Sequence, residues 1–271
     1  VVSRENRLKL RLRADQFIAA AGIALALSFP SWAQSAPSAT EAPKPAAAST
    51  PAALPSANQI LDVYVRALGG REAWKNLTSR ISAGTIEVPA MSLSGTIEMH
   101  EKAPNQMIAT ITFNGARFRQ GFDGTVAWAD DPQNGLREET GAELAETKRD
   151  ADFYHPMDLR QLYSKFTVTG TEKINEHDAY VVEAASEDGT IDKMYFDTKS
   201  GLLLRVIGQH HMPEGVTAFT EDLEDYREVD GIKLPFTVRQ SSAESTFTIQ
   251  FTEVKHNVAI ESSEFRKPGA E

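Results

Sequence analysis

The sequence predicts an α+β domain: a strongly curled antiparallel sheet of about eleven strands, an open half-barrel, with an N-terminal helix and inserted lid helices. Three observations lead there. Residues 179–205 (AYVVEAASEDGTIDKMYFDTKSGLLLR) contain three apolar, β-branched runs separated by turn-forming residues, the pattern of an antiparallel meander. Asn114-Gly115, between Phe113 and Phe118, and Asp230-Gly231 are the residue pairs that tight hairpin turns require. A helical apolar periodicity precedes the first strand, and a second helical stretch interrupts the strand series midway.

Taken in order, residues 1–33 read as a secretory signal. A basic segment ends at Arg13, an apolar run covers residues 17–29, and Ser31 and Ala33 suit cleavage before Gln34. The run has thirteen residues, against the ~20 that a spanning helix needs. Residues 34–55 are rich in Ala, Pro, Ser and Thr and predict a disordered linker. Residues 56–268 then form a single half-barrel domain. Ser56 caps a helix that places Ile60, Leu61, Tyr64, Val65 and Leu68 on one face, and Gly69-Gly70 ends it. Residues 72–77 add a turn with Trp74 and Leu77 as buried anchors.

Strands are expected at 80–88, 93–101, 106–113, 117–122 and 126–129. Between 130 and 156 the β-branched residues give way to GAELAETKRDADFY (141–154), a helical composition, and His155-Pro156 opens a second short helix with Met157, Leu159, Leu162 and Tyr163. The strands resume at 165–174, run through 179–205, and continue at 217–229, 232–240 and 245–254.

Composition narrows the function classes. The chain is 41% hydrophobic and 24% charged, as soluble globular proteins are. Its net charge is -10, and five basic residues of the prefix (Arg4, Arg7, Lys9, Arg11, Arg13) leave the body more acidic still. Such a body is a poor partner for nucleic acid or anionic lipid surfaces. The sequence has no cysteine, which removes disulfides, thiolate nucleophiles, thiolate metal sites and a lipidated cysteine within these residues.

Alternation along the strands gathers apolar residues on one face: Met107, Ile111 and Phe113; Phe118 and Phe122; Val126 and Trp128; Leu234, Phe236 and Val238; Phe247, Ile249 and Phe251. Three helical segments are few to cover so wide a face, which leaves part of it for an apolar ligand. The expected cavity residues are Met107, Ile111, Phe113, Phe118, Phe122 and Trp128, with Leu144 and Phe153 on a lid over the mouth. The alternative is a filled core in an envelope assembly module that binds protein through an open sheet edge.

Chemistry has little support. His210-His211 with Glu214, and Asp150, Asp152 and His155, are the candidate metal groups. Neighbouring histidines on a strand point to opposite faces, so a solvated turn is the better reading of the first. The run Glu221, Asp222, Glu224, Asp225 reads as a solvated edge that discourages aggregation. No nucleophile elbow and no phosphate-binding loop occur in the sequence. The expectation is therefore no catalytic residue, no metal and no cofactor.

The organising DTKSGLLLR turn and the closing segment 251–268 (FTEVKHNVAIESSEFRKP), with Asn257, Ile260 and Phe265, accompany the helix, meander and inserted helices. Together these features resemble the periplasmic lipoprotein-carrier and lipoprotein-localisation-factor superfamily, and more closely its secreted relatives labelled outer-membrane lipoprotein-sorting proteins. The resemblance covers roughly residues 54–268. It implies an open half-barrel whose concave apolar face, lidded by helices, holds acyl chains without catalysis. It further implies a periplasmic monomer whose partners are lipids or acylated lipoproteins, and envelope proteins of either membrane.

Overall fold

The computed structural model describes residues 53–269, apart from 188, 213, 214 and 244. The signal and nearly all of the linker expected at 1–55 therefore lie outside the described residues.

Helix α1 (Ala57–Ala67) starts where its chemistry dictates. Ser56 Oγ accepts the Gln59 amide and Gln59 Oε1 accepts the Ser56 amide, a reciprocal cap. Its apolar stripe buries Ile60, Leu61 and Tyr64, and Tyr64 meets Phe196 edge-on at 5.2 Å. The chain reverses at Gly69, whose φ of +105° suits glycine and whose missing Cβ would lie 2.2 Å from the Gly231 carbonyl oxygen. Helix α2 (Gly70–Lys75) follows, and the buried Trp74 indole N–H donates back to the Leu68 carbonyl at 3.1 Å.

All strands belong to one antiparallel sheet of thirteen, not the eleven or so that the sequence suggested. Its first half is β1 (Ser79–Val88), β2 (Leu93–Lys102), β3 (Gln106–Phe113), β4 (Ala116–Phe122), β5 (Ala127–Asp131) and β6 (Gly135–Glu138). Its second half is β7 (Lys165–Ile174), β8 (His177–Ala185), β9 (Ile191–Asp197), β10 (Leu203–Met212), β11 (Gly215–Val229), β12 (Ile232–Ser242) and β13 (Thr246–His256). The unforeseen strand is β6, four residues without a β-branched side chain, which exists because β5 offers it an edge. Strand β10 also runs beyond Ile207, so His210 belongs to a strand and not to a turn.

The order across the sheet is β6-β5-β4-β3-β2-β1-β13-β12-β11-β10-β9-β8-β7. The two halves join where β1 pairs with β13, and the outermost strands, β6 and β7, are not paired, so the sheet stays open. The segment between them must pass from one edge to the other. It carries α3 (Gly141–Asp150), a 3-10 turn at His155–Met157 and α4 (Leu159–Leu162).

The turns carry the expected backbone. Asn114 and Gly115 have φ of 48° and 83°, and Asp230 and Gly231 have 52° and 81°. In the organising meander, Asp197 Oδ1 accepts the Lys199 and Ser200 amides, and Gly201 takes φ 74°.

Two large clusters fill most of the buried face. One unites α1, α2, the 3-10 turn and strands β8–β12, around Trp74, Phe153, Phe196, Phe236 and their neighbours. The other lies on β1–β4, β12 and β13, around Ile86, Ile111, Phe122 and Phe247. Trp128 lies outside both. It pairs in register with Gly121 while Phe122 pairs with Ala127, so the indole stands on the face opposite Phe122. There its N–H donates to the Phe265 carbonyl at 2.9 Å, and the ring covers Gly121. Gly121→Ala would place a Cβ 2.5 Å from that indole. We expect this variant to lose about 1–3 kcal/mol of stability by overpacking, read as a lower denaturation midpoint by circular dichroism, while Phe122→Leu leaves the Trp128 fluorescence maximum in place.

Candidate functional site

The inward positions of the central strands are unequal in size. Strand β3 places large side chains at Met107, Ile111 and Phe113 but Ala109 between them, and β1 has Ser82 on the same side as Ile86. Large residues fill their own space; small ones leave it. A cavity of about 230 Å³ lies over the small positions, on β1, β2, β3 and β11–β13. The strands contribute Ile97, Ala109, Leu223, Leu234, Val238, Ile249 and Phe251. Tyr64, Leu68, Trp74 and Pro156 roof it from α1, α2 and the 3-10 turn.

Its polar members are few. Arg80 is clamped by both oxygens of Glu101, with its Nε 2.6 Å from Oε2, and its guanidinium also stands 5.6 Å from the Phe153 ring. Tyr226 donates its hydroxyl proton to the Leu203 carbonyl. Glu221 lines the cavity with Oε2 buried and without a hydrogen-bond partner. The solvated edge expected for Glu221, Asp222, Glu224 and Asp225 is therefore corrected: β11 is an interior strand, Glu221 is buried, and Asp222 is held by Arg205 through Nε and Nη2.

None of the eight residues expected at the cavity lines it. Met107, Ile111, Phe113 and Phe122 sit in the second cluster with Phe118 and Leu144 packed against it, directly behind Ile97 and Ala109. Phe153 is buried in the first cluster behind Arg80. Trp128 is on the other face. The sequence signal that marks the cavity is the pair of small inward residues Ser82 and Ala109, which a search for large apolar residues passes over.

Helix α3 meets the sheet with acids. Glu143, Glu146 and Thr147 are buried, and Asp150, half-buried, has an Oδ1 shielded from water without a partner. Arg137 holds Glu143 through two bonds. Gln120 donates to Glu139 at 2.7 Å and to Thr147 at 3.0 Å, and Thr147 donates to Glu139. His210 was expected in a solvated turn; instead it is buried, stacked on Phe219 at 4.2 Å, with Nδ1 against Glu146 and Nε2 2.8 Å from the Gln240 amide nitrogen. Because that amide nitrogen can only donate, Nε2 is the acceptor and Nδ1 carries the proton to Glu146. The side chains of His211 and Glu214 lie outside the described residues.

Asp152 caps its own turn by accepting the Tyr154 amide, and His155 is neutral, pushed down to about 4 by burial and by Arg149. Among the described residues no three His, Asp or Glu side chains are grouped to hold a metal.

No family model matches the sequence, and no curated protein matches it. Solved structures share its fold, among them the following three. A DUF1329 family protein from Desulfovibrio piger aligns at TM-score 0.52 and 14% identity, over 77% of this chain and 96% of its own. A putative outer membrane lipoprotein-sorting protein domain from Vibrio parahaemolyticus aligns at 0.50 and 14%, over 78% and 98%. A LolA superfamily protein from Nitrosomonas europaea aligns at 0.50 and 13%, over 79% and 99%. The chain has a LolA-like fold. In this fold the open sheet, the roofing helices and the crossover segment border a largely apolar cavity beside a polar helix contact.

That contact has a definite pH response. Burial pushes the carboxyls of Glu139 up to about 7 and Asp150 up to about 8. Both bind their protons more tightly folded than unfolded, so each stabilises the fold at low pH and loses that contribution as pH rises through the folded value. His155 acts in the opposite sense, but only below its ordinary value of 6.5. Between pH 6.5 and pH 8 the acids therefore dominate. We expect the Tm to fall by several degrees across that interval, and Glu139→Gln with Asp150→Asn to flatten the slope in differential scanning calorimetry.

Proposed function

We propose that this LolA-like domain binds an acyl chain of a lipid or of an acylated lipoprotein in the cavity between α1, α2 and the central strands, and that it does so in the periplasm without catalysis. The observation that carries the reading is an apolar cavity that the chain's own large side chains leave unfilled. Its extent supports an extended chain. Lining residues run from Lys233, at the β11–β12 hairpin, to Glu221, which pairs with Gln240. Seven residues of strand at roughly 3.3 Å each give a span on the order of 20 Å.

An apolar tail placed there removes surface from water on both sides, worth about 25 cal/mol for each Å². Met107, Ile111, Phe113, Phe118 and Phe122 serve as the packed wall behind the site, and Leu144 and Phe153 brace the segment that crosses over it. The similar Vibrio parahaemolyticus structure, a putative outer membrane lipoprotein-sorting protein domain, accords with this ligand class, and residues 1–33, read as a secretory signal, accord with the compartment.

The test is to fill the cavity. Ala109 is buried and lines it, so Ala109→Phe occupies the space while Ala109→Ser leaves it open. With the full chain and a fluorescent long-chain fatty-acid probe, we expect saturable binding by the wild type and the serine variant. We expect at least a tenfold loss in the phenylalanine variant at unchanged far-UV circular dichroism. Equal binding by both variants would place the probe elsewhere and defeat the proposal.

A further inference from the structure

The cavity contains one group that an apolar chain alone does not use. Glu221 is 7% exposed, it lines the cavity, and its Oε2 has no hydrogen-bond partner among the described residues. A buried carboxyl oxygen left unpaired is costly, so a partner supplied by the ligand changes the balance of binding. We propose that Glu221 is the polar anchor of the cavity, where its carboxyl O–H donates a hydrogen bond to the carbonyl oxygen of an ester or amide at the head of an acyl chain. This rests on the acyl-chain reading above and names the chemical group that the site selects.

The neighbouring polar groups are already engaged. Gln240 lies opposite Glu221 in register, and its amide is taken by His210, which in turn is held by Glu146. Asp222 is bound by Arg205, and Arg80 by Glu101. Lys233 lines the cavity at the hairpin end, seven residues along the strand from Gln240. No cation among the described residues thus meets the Glu221 carboxyl, and Asp150, whose Oδ1 is also unpartnered, is a second buried carboxyl nearby.

Burial first, then the Asp150 and Asp222 carboxyls, hold Glu221 well above the usual carboxylate range. That direction favours the protonated form, which presents one O–H donor. A neutral donor at the end of an apolar channel matches an acyl carbonyl, an acceptor with no charge. An alkylammonium would need a charge pair in a nearly dry pocket, where desolvation opposes the attraction. Esters of glycerolipids and amides of N-acylated polypeptides share the carbonyl, so both satisfy the geometry.

The experiment uses the full chain and four probes of equal chain length: a monoacylglycerol, an N-acyl dipeptide, an alkylamine and the parent alkane, each competed against a fluorescent fatty acid. We expect the wild type to prefer a carbonyl probe over the alkane by about tenfold, the size of one net hydrogen bond. Glu221→Gln, whose amide still donates, should keep that preference. Glu221→Leu should abolish it while binding the alkane at least as well.

Preference for the ester alone or the amide alone supports the assignment and identifies the source. Preference retained in Glu221→Leu overturns it, as does tightest binding of the alkylamine with loss in Glu221→Gln. Alkane binding with no carbonyl preference in the wild type removes the anchor and leaves the acyl-chain reading standing. Failure of the wild type to bind any probe, the alkane included, removes both.

Discussion

The chain between β6 and β7 has to cross the sheet, and the rest of the structure depends on that crossing. Those two strands are the opposite edges of a thirteen-stranded antiparallel order. The halves meet in the middle, at β1 and β13, so only this one connection ties edge to edge. Whatever it carries must lie against the buried face. It carries α3, the 3-10 turn with Pro156, and α4, and with α1 and α2 these are the helices available to cover the face. Where they pack closely the interior is solid, and where the strands beneath them carry Ser82 and Ala109 it is not.

The crossing is held by two kinds of contact. Phe153, Met157, Leu159 and Tyr163 anchor its second part in the core, as apolar side chains do. Helix α3 is different, since its inward row at positions 143, 146, 147 and 150 is three acids and a threonine. Buried polar groups of this kind are costly unless paired, and here nearly every one has a named partner on the sheet: Arg137, Gln120 and His210. Such a contact depends on protonation in a way that an apolar one does not. The exceptions, Asp150 and Glu221, carry the two carboxyl oxygens in this region without partners, one of them on a residue that lines the cavity.

Much of this fold was legible in the sequence, and the failures have physical causes. Turn chemistry is local, so Asn114-Gly115, Asp230-Gly231 and the Asp197 turn formed where their residues required. The Ser56 cap and the apolar stripe of α1 were equally local. Strand β6 was not, because Gly135–Glu138 has no intrinsic preference for strand and depends on the β5 edge. The polar side of α3 escaped notice because a helix is recognised by apolar residues facing inward, and here the inward row is charged. His210 and Glu221 were read as solvated for the same reason: residue type alone says exposed, and only register with Gln240 and the packing of α3 buries them. The cavity was placed among the largest apolar side chains, Phe113, Phe122 and Trp128, although volume is left where side chains are small. Trp128 also shows that a one-residue difference in phase puts a side chain on the other face.

Whether the cavity holds an acyl chain in the protein isolated from cells is the central question. The most direct measurement is native mass spectrometry of the full chain purified without detergent, followed by organic extraction of the same sample. We expect a discrete added mass, stoichiometric with the protein, that extracts as an acyl lipid or stays as an acylated polypeptide. A clean apo mass that persists after incubation with lipid vesicles would contradict it.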